Sequence, residues 1–445
     1  MSEIGAILNS FLSYTNFLKL VDSAGLAAAN AGNKNVRPTL ACDPSFIPVT
    51  SKPDQENTII LGVDVGGTHV KCGLRSINNS KILWSELADI SNDSLKDNSF
   101  QGTLMQRMTK ELARRLVLKL EERNIPKVNV AGIGVVWSNQ LVSSIIDPLS
   151  SEGTRGVTGV VSGKGEGTAY RKCEWWNEDL EDGHDIGTMF LEAFREAGLK
   201  PKSFVIGNDT IFTCKAINGA DAGMVASTGA NCTIIPSGKQ ILCNSESGGF
   251  FEIPSEYLAN LCSPGHNIVK LEDAMAGVGL PGLFLEYIRI VASKNISSLK
   301  PIGAFLEELP ASKRWNYFVG QDMSALLDGN IGLFLRGKDK SFDSIEAQNE
   351  LTLIASEFAR VGGAFAALMA YISIFNQLTE KDEFLIALDS SQSRFVRGYF
   401  ESMQRTLTHI LAAKGKKARI ELLKPQGEIA VPMVGVVRAV NDFLL

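Results

Sequence analysis

Leu61-Gly62-Val63-Asp64-Val65-Gly66-Gly67-Thr68-His69-Val70-Lys71 reads as a β-hairpin whose turn carries no large side chain. One apolar run, 58–63, delivers Asp64 into a Gly-Gly-Thr turn, and a second, 70–74, leaves it. Gly66 and Gly67 can take positive φ, so their backbone N–H groups can converge on an anion. Thr68 adds a hydroxyl donor, and Asp64, at the strand end, is placed to hold a hydrated Mg²⁺. The combination points to a nucleotide phosphate site. It is not a Walker loop, because no Gly-Lys-Ser/Thr opens a helix here, and not a dinucleotide fingerprint, which needs strand–turn–helix. An ordinary glycine-rich hairpin is the competing reading.

A second turn of the same kind follows about 160 residues later. Gly223-Met224-Val225-Ala226-Ser227-Thr228-Gly229-Ala230-Asn231-Cys232-Thr233-Ile234-Ile235 is again an apolar strand, a small-residue turn with Thr-Gly, and an apolar strand. Two such hairpins look like halves of a duplicated fold gripping a phosphate chain from both sides. Between them, Phe204-Val205-Ile206-Gly207 is a strand ending in Asn208-Asp209-Thr210 before a helix-like segment. A carboxylate at that strand end is where a general base for phosphoryl transfer would sit. Alternatively Asn208 or Asp209 caps the following helix, and both roles can coexist.

The 445-residue length accommodates two substantial domains. Hydrophobic residues at 44% and charged residues at 21% describe an ordinary soluble globular chain. A net charge of −5 and a pI near 5.6 argue against nucleic acid or an anionic membrane as the main partner. The seven cysteines (Cys42, Cys72, Cys173, Cys214, Cys232, Cys243, Cys262) form no Cys-x-x-Cys, so reduced, buried thiols are expected. The four histidines are too dispersed for a zinc site. Acidic Glu3 and the lack of a basic n-region argue against a signal peptide. No uninterrupted apolar run reaches the ~18 residues of a membrane span, and a cytosolic location is expected.

Periodicity predicts a helix over 4–28, an irregular Pro- and Asn-rich lead-in over 30–57, and strands at 58–64, 70–76 and 81–86. A helix near 103–124 places Leu104, Met108, Leu112, Leu116 and Leu120 on one face, and 128–136 is a buried strand. The stretch 151–187 has little period and reads as irregular. Further on come a long helix over 346–376, a strand at 384–388 ending in Asp389-Ser390-Ser391, a helix over 393–412, a strand at 419–423 and a helix over 432–444. The sum is an α/β fold.

With these motifs in place the chain resembles the eukaryotic-type hexokinases, members of the actin-like sugar kinase superfamily, over nearly its whole length. Asp64-Val65-Gly66-Gly67-Thr68 resembles their first phosphate motif, and Trp137-Ser138 the strand that presents a sugar-binding serine. Asn208-Asp209-Thr210 is similar to the segment holding the catalytic base. Ser227-Thr228-Gly229-Ala230-Asn231 resembles the second phosphate motif, whose asparagine reaches the sugar. Glu246, in Asn244-Ser245-Glu246-Ser247-Gly248, and Glu272, in Leu271-Glu272-Asp273-Ala274-Met275-Ala276-Gly277, look like two glutamates that bind sugar hydroxyls. Leu388-Asp389-Ser390-Ser391 resembles the adenosine-side motif, and Pro44-Ser45-Phe46 also has a family look.

The chain departs from the family pattern at several points. His69 and Lys71 stand where the family has Asn and Arg, Ser227 where glycine is usual, and no Trp follows Glu246. The Trp-Thr-Lys-Gly-Phe loop is not recognisable; Ser162-Gly163-Lys164-Gly165 and Trp175-Trp176 are candidate remnants.

The resemblance implies two actin-like (ribonuclease H-like) domains with a sugar/ATP cleft between them. The small domain would comprise 58–207 with 432–445, and the large domain 1–57 with 208–431. It implies an ATP- and Mg²⁺-dependent hexokinase, monomeric or homodimeric. Ser138, Asn208, Asn231, Glu246 and Glu272 would hold a glucose-like hexose, with Asp209 as base. Asp64 (through Mg²⁺), Gly66, Gly67, Thr68, Thr228, Gly229 and Ser391 would hold the nucleotide. The altered loop and Ser227 motivate a second expectation, a sugar-sensing regulator with weakened catalysis. A third, a filament-forming actin-like ATPase, explains the hairpins but not Glu246 and Glu272.

Overall fold

A computed structural model describes residues 14–33, 42–48, 58–78, 81–96, 98–146, 153–162, 180–239, 241–254, 268–293, 297–308, 318–330, 344–425, 427 and 429–444. The chain forms two compact units. Unit 1 comprises Met1–Ala41, Met224–Cys232 and Glu246–Leu422; unit 2 comprises Cys42–Gly223, Thr233–Ser245 and Leu423–Leu445. In chain order the strands begin with β1 (Asp43–Pro48), β2 (Ile59–Val65), β3 (His69–Asn78), β4 (Lys81–Ser91) and β5 (Val130–Trp137). They continue with β6 (Leu141–Ile145), β7 (Arg155–Val161), β8 (Ser203–Asn208), β9 (Ala222–Ala226) and β10 (Ala230–Ile234). The remainder are β11 (Ile241–Asn244), β12 (Glu252–Pro254), β13 (Ile268–Lys270), β14 (Glu383–Asp389) and β15 (Lys417–Leu422).

Unit 2 is built on a seven-stranded sheet in the order β4-β3-β2-β5-β8-β7-β6. Its centre, β2, β5, β8 and β7, is parallel, and β3, β4 and β6 join antiparallel. The two-residue period of a strand sorts the side chains. Leu61, Val63 and Val65 of β2 and Ile133, Val135 and Trp137 of β5 share a core with Met108, Leu112 and Leu116 of the Leu104–Glu122 helix and Phe190 and Phe194 of the Ile186–Glu196 helix. Each such burial stabilises by roughly 1.5–3 kcal/mol. The longer helix starts in a capping box between Thr103 and Gln106.

The opposite face of the same strands carries glycine. A Cβ at Gly62 would lie 2.6 Å from Met433, and one at Gly134 2.7 Å from Val436. Both contacts belong to the terminal helix Val431–Phe443, which also occupies the space beside Gly132. That helix has its own glycine, Gly435, pressed onto the carbonyl oxygen of Phe212 in the Asp209–Lys215 helix. Three polar contacts lock the arrangement. Ser203 Oγ donates to Val440 O at 2.9 Å, and Arg438 Nη1 donates to Ala216 O at 2.6 Å. Lys215 Nζ sits 2.7 Å from Asp442 Oδ2 with both side chains buried.

Unit 1 centres on the 30-residue helix Ile345–Ile374, buried on every side from Val361 onward. An all-round apolar helix of this kind is a core element. By length and composition Ile345–Gln377 could also cross a membrane, but 89% of its most apolar window is buried within the structure. It packs against the helices Tyr14–Ala29, Leu271–Met275, Gly279–Ser293 and Tyr399–Ala412. Gly363 admits the backbone of Tyr399, whose hydroxyl donates to Met275 O at 2.9 Å. The strands of this unit run in the order β10-β9-β14-β15.

The expected strands and long helices are present, with differences in detail. The lead-in holds β1, and the stretch read as irregular holds β7. Gly156 of β7 is a strand position where the backbone passes against Phe204. The helix expected over 393–412 is two helices, Ser391–Phe395 and Tyr399–Ala412, broken at Gly398 with φ 83°. Of the first expected helix, Tyr14–Ala29 is present and 4–13 lies outside the described residues. Cys72, Cys214, Cys232 and Cys243 are buried free thiols and Cys42 is half-buried; Cys173 and Cys262 lie outside the described residues.

Gly435→Ala forces a methyl group against backbone that has no rotamer escape. The expected loss of unfolding free energy is about 2–3 kcal/mol in a denaturant titration, and a loss below about 0.5 kcal/mol would contradict this packing. A hydrogen bond with Cys243 brings the Cys42 thiol down to about 7. Iodoacetamide should therefore modify Cys42 first among the described cysteines, with a rate that rises through a midpoint near pH 7, read by peptide mass mapping. Labelling that begins only toward pH 9 would contradict that lowering.

Candidate active site

The register of the central strands of unit 2 sets its functional edge. Val65 of β2 lies level with Trp137 of β5, and Trp137 with Asn208 of β8. The residues that follow, Gly66, Ser138 and Asp209, leave the sheet side by side. Ligands of open parallel sheets bind beyond such carboxyl ends. Asp64 is half-buried just inside the edge, and Thr68 is exposed at the tip of the turn.

The turn differs in one respect from its expected conformation. Neither Gly66 nor Gly67 has positive φ, and the Gly66 N–H donates to His69 O at 3.0 Å. What glycine supplies at position 66 is clearance, since a Cβ there would lie 3.0 Å from that same carbonyl. His69 Nδ1 is 2.7 Å from Asp89 Oδ1.

Asn208 is 3% exposed and caps the Asp209–Lys215 helix. Its Oδ1 accepts from Thr210 N at 3.0 Å and Thr210 Oγ1 at 2.7 Å, while Nδ2 donates to Asn139 O at 3.3 Å. The capping role is therefore filled by Asn208, leaving one Nδ2 hydrogen for a ligand. Asp209 is the half-buried first residue of the helix.

Unit 1 gathers the second group. The β9–β10 hairpin closes at the Ala226–Ala230 pair, with Ser227 N donating to Gly229 O at 2.9 Å and Thr228 exposed at the tip. Behind it, Gly277 N donates to Ser227 O at 2.6 Å, and a Cβ at Gly277 would lie 2.8 Å from Nε2 of Gln392. Gln392 follows Ser391, so the Thr228-Gly229 turn and the Ser391 segment share one locality. Gly320, pressed onto the same Gln392 amide, completes it. Sequence reasoning missed the supporting roles of Gly277, Gly320 and Gln392. The only local signal was the glycine closing the Glu272 segment.

Gly248 draws three further candidates together. Its Cα faces the Ala230 carbonyl, and a Cβ would lie 3.2 Å from Cβ of Glu272. Asn231 is adjacent, its Oδ1 accepting from Cys232 N at 2.7 Å. Glu246 adopts a left-handed backbone, φ 45° and ψ 33°. For a non-glycine residue this costs roughly 1–2 kcal/mol.

The candidate residues thus fall into two groups. Asp64, Gly66, Gly67, Thr68, Ser138, Asn208 and Asp209 belong to unit 2, and Thr228, Gly229, Asn231, Glu246, Glu272 and Ser391 to unit 1. Among the described residues no cluster of three or more His, Cys, Asp or Glu side chains could hold a metal by itself. Ser162 follows β7, while 163–165 and Trp175-Trp176 lie outside the described residues.

Glu246→Gly should release the left-handed strain while deleting a carboxylate. Unfolding free energy is expected to rise by about 0.5–1 kcal/mol in a denaturant titration. A destabilised variant would refute the strain.

No protein-family model matches the sequence, and no curated protein matches it. Among solved structures, the hexokinase from Schistosoma mansoni complexed with glucose is similar at TM-score 0.68 and 16% identity, over 98% of both chains. A second crystal structure of a hexokinase is similar at TM-score 0.69 and 18% identity, again over 98% of both chains. At these identities the likeness speaks to architecture: the chain has the two-domain, actin-like α/β fold of the eukaryotic hexokinases.

Proposed function

We propose that this chain is an ATP-dependent hexose kinase that transfers the γ-phosphoryl group to the 6-hydroxyl of a glucose-like hexose. The observation that carries the reading is the level ending of β2, β5 and β8, which puts the Gly66–Thr68 turn, Ser138 and Asp209 on one edge. In this reading Ser138, Asn208, Asn231, Glu246 and Glu272 bind the sugar. A neutral polyol needs paired donors and acceptors, and a carboxylate accepts from two hydroxyls at once. Asp209 takes the proton from the attacking hydroxymethyl oxygen. The two turns, with Thr68 and Thr228, offer donors to the phosphate chain, and Ser391 lies on the adenosine side.

The donor set suits Mg²⁺. That ion keeps most of its waters and needs one or two carboxylates plus phosphate oxygens, so Asp64 at the strand end fits without a dedicated cage. When bound, it would neutralise charge on the phosphates. Exclusion of water around the hexose would suppress ATP hydrolysis.

A sugar-sensing regulator with weakened catalysis is the second reading, favoured by Ser227 and the altered loop. Retention of Asp209, Asp64 and both turns favours the kinase. Coupled ADP release with glucose, mannose, fructose, glucosamine and N-acetylglucosamine separates the two. Hexose-dependent release is expected, hexose binding without release supports the sensor, and release indifferent to sugar points to an ATPase. Asp209→Asn should lower the rate by ~10²–10⁴-fold while hexose binding persists; a wild-type rate would remove Asp209 as base.

A further inference from the structure

We propose that Asn92 is the positioning residue that aims the Gly66–His69 turn at an anion, which on the kinase reading above is the phosphate chain of the nucleotide. Asn92 follows directly on β4 and is 1% exposed. Its backbone N–H donates to Thr68 O at 2.9 Å, and its Nδ2 donates to Gly66 O at 2.9 Å. Facing a carbonyl, only the amino end of the amide can bond, which fixes the side-chain orientation.

One residue therefore holds two alternate carbonyls of the turn. In a trans peptide the C=O and the next N–H point in opposite directions. With Gly66 O and Thr68 O drawn to Asn92, the N–H groups of Gly67 and His69 turn away from it. The Gly66 N–H is spent on His69 O. The donor pair offered to an anion is thus Gly67 with His69, a short concavity of backbone N–H groups. The contact of His69 with Asp89 ties the last residue of the turn to β4, the strand that leads into Asn92. A Gly-Gly turn has much backbone entropy to lose on binding, and bracing it beforehand removes part of that loss.

The test uses the full chain. Asn92→Leu removes the Nδ2 donor at nearly constant shape and keeps the backbone bond to Thr68; Asn92→Ala is the second variant. Asn98→Ala serves as control, because it deletes bonds to Leu95 O (2.6 Å) and from Phe100 N (3.1 Å) in the same segment without touching the turn. By calorimetry the ATP Kd should rise roughly 5–10-fold in both Asn92 variants, with the glucose Kd within about 2-fold of wild type. The control should match wild type.

Folded Asn92 variants with unchanged ATP affinity would overturn the proposal, as would equal losses for ATP and glucose or the same loss in Asn98→Ala. The wild-type chain gives a reading that needs no variant. With only four histidines, ¹⁵N-histidine labelling isolates the His69 amide. It should shift on ATP addition and not on glucose addition. An amide that stays still while ATP saturates would refute this proposal alone, whereas a wild-type chain that binds no ATP refutes the kinase reading and this proposal with it.

Discussion

The architecture of unit 2 depends on the absence of side chains along one face of β2 and β5. Gly62, Gly132 and Gly134 let the Val431–Phe443 helix lie against the sheet backbone, and Gly435 lets that helix receive the carbonyl of Phe212. The Asp209–Lys215 helix is thereby fixed from behind. Arg438 satisfies its last carbonyls, and the Lys215–Asp442 pair is buried, so loss of one partner would strand a charge at about 3–5 kcal/mol. Asp209 stands at the other end of that helix. The helix that Asp209 opens is held against β8 by a segment more than two hundred residues later in the chain, as the Ser203–Val440 and Arg438–Ala216 bonds illustrate. Such a contact forms only after a long loop has closed, so the candidate catalytic edge is complete only when the C-terminal helix has docked.

The two glycine turns share a design that local sequence does not announce. Each closes on itself by a backbone bond, Gly66 to His69 and Ser227 to Gly229, and each is braced from behind by a donor from a distant element. Asn92 supplies the brace for the first turn and Gly277 for the second. Tying carbonyls backward presents the following N–H groups forward, because the trans peptide couples the two. Hydrogen bonds within each unit thus prepare donors at its edge, and the exposed Thr68 and Thr228 hydroxyls add to them.

How much of this was legible follows from the range of each interaction. The turns, the Asn208-Asp209 strand end and the long helices are encoded locally, in glycine, Asx capping and 3.6-residue periodicity. β7 was not legible, because Gly156 interrupts its apolar pattern for the sake of a neighbour, Phe204, that sequence does not place. β1 was hidden by its prolines and by a register shift beside Phe46, which sits at φ 52°. The positive φ expected of Gly66 and Gly67 failed for a related reason. Glycine is tolerant of that conformation, but tolerance does not select it; at Gly66 the selecting constraint is the nearby His69 carbonyl. Asn92 and Gln392 act only through residues far away in sequence, and no local pattern marks them; Gly277 is marked only as the glycine that closes the Glu272 segment.

Glu246 poses the opposite case, a residue whose backbone breaks a local rule. At φ 45° a glycine would sit without strain, yet a glutamate is present. The surroundings over-determine its conformation. Its carbonyl accepts from Gly249 N at 3.2 Å and Phe250 N at 3.0 Å, and Gly248 is pinned against Ala230. The left-handed kink costs roughly 1–2 kcal/mol, comparable with the rotamer entropy of about 1.5–2 kcal/mol that ordering a glutamate side chain takes away. In the proposed kinase, a backbone fixed before the sugar arrives leaves less ordering to be done when it does. Strain at one half-buried carboxylate, in a unit otherwise packed with apolar helices, supports the hexose contact proposed for Glu246.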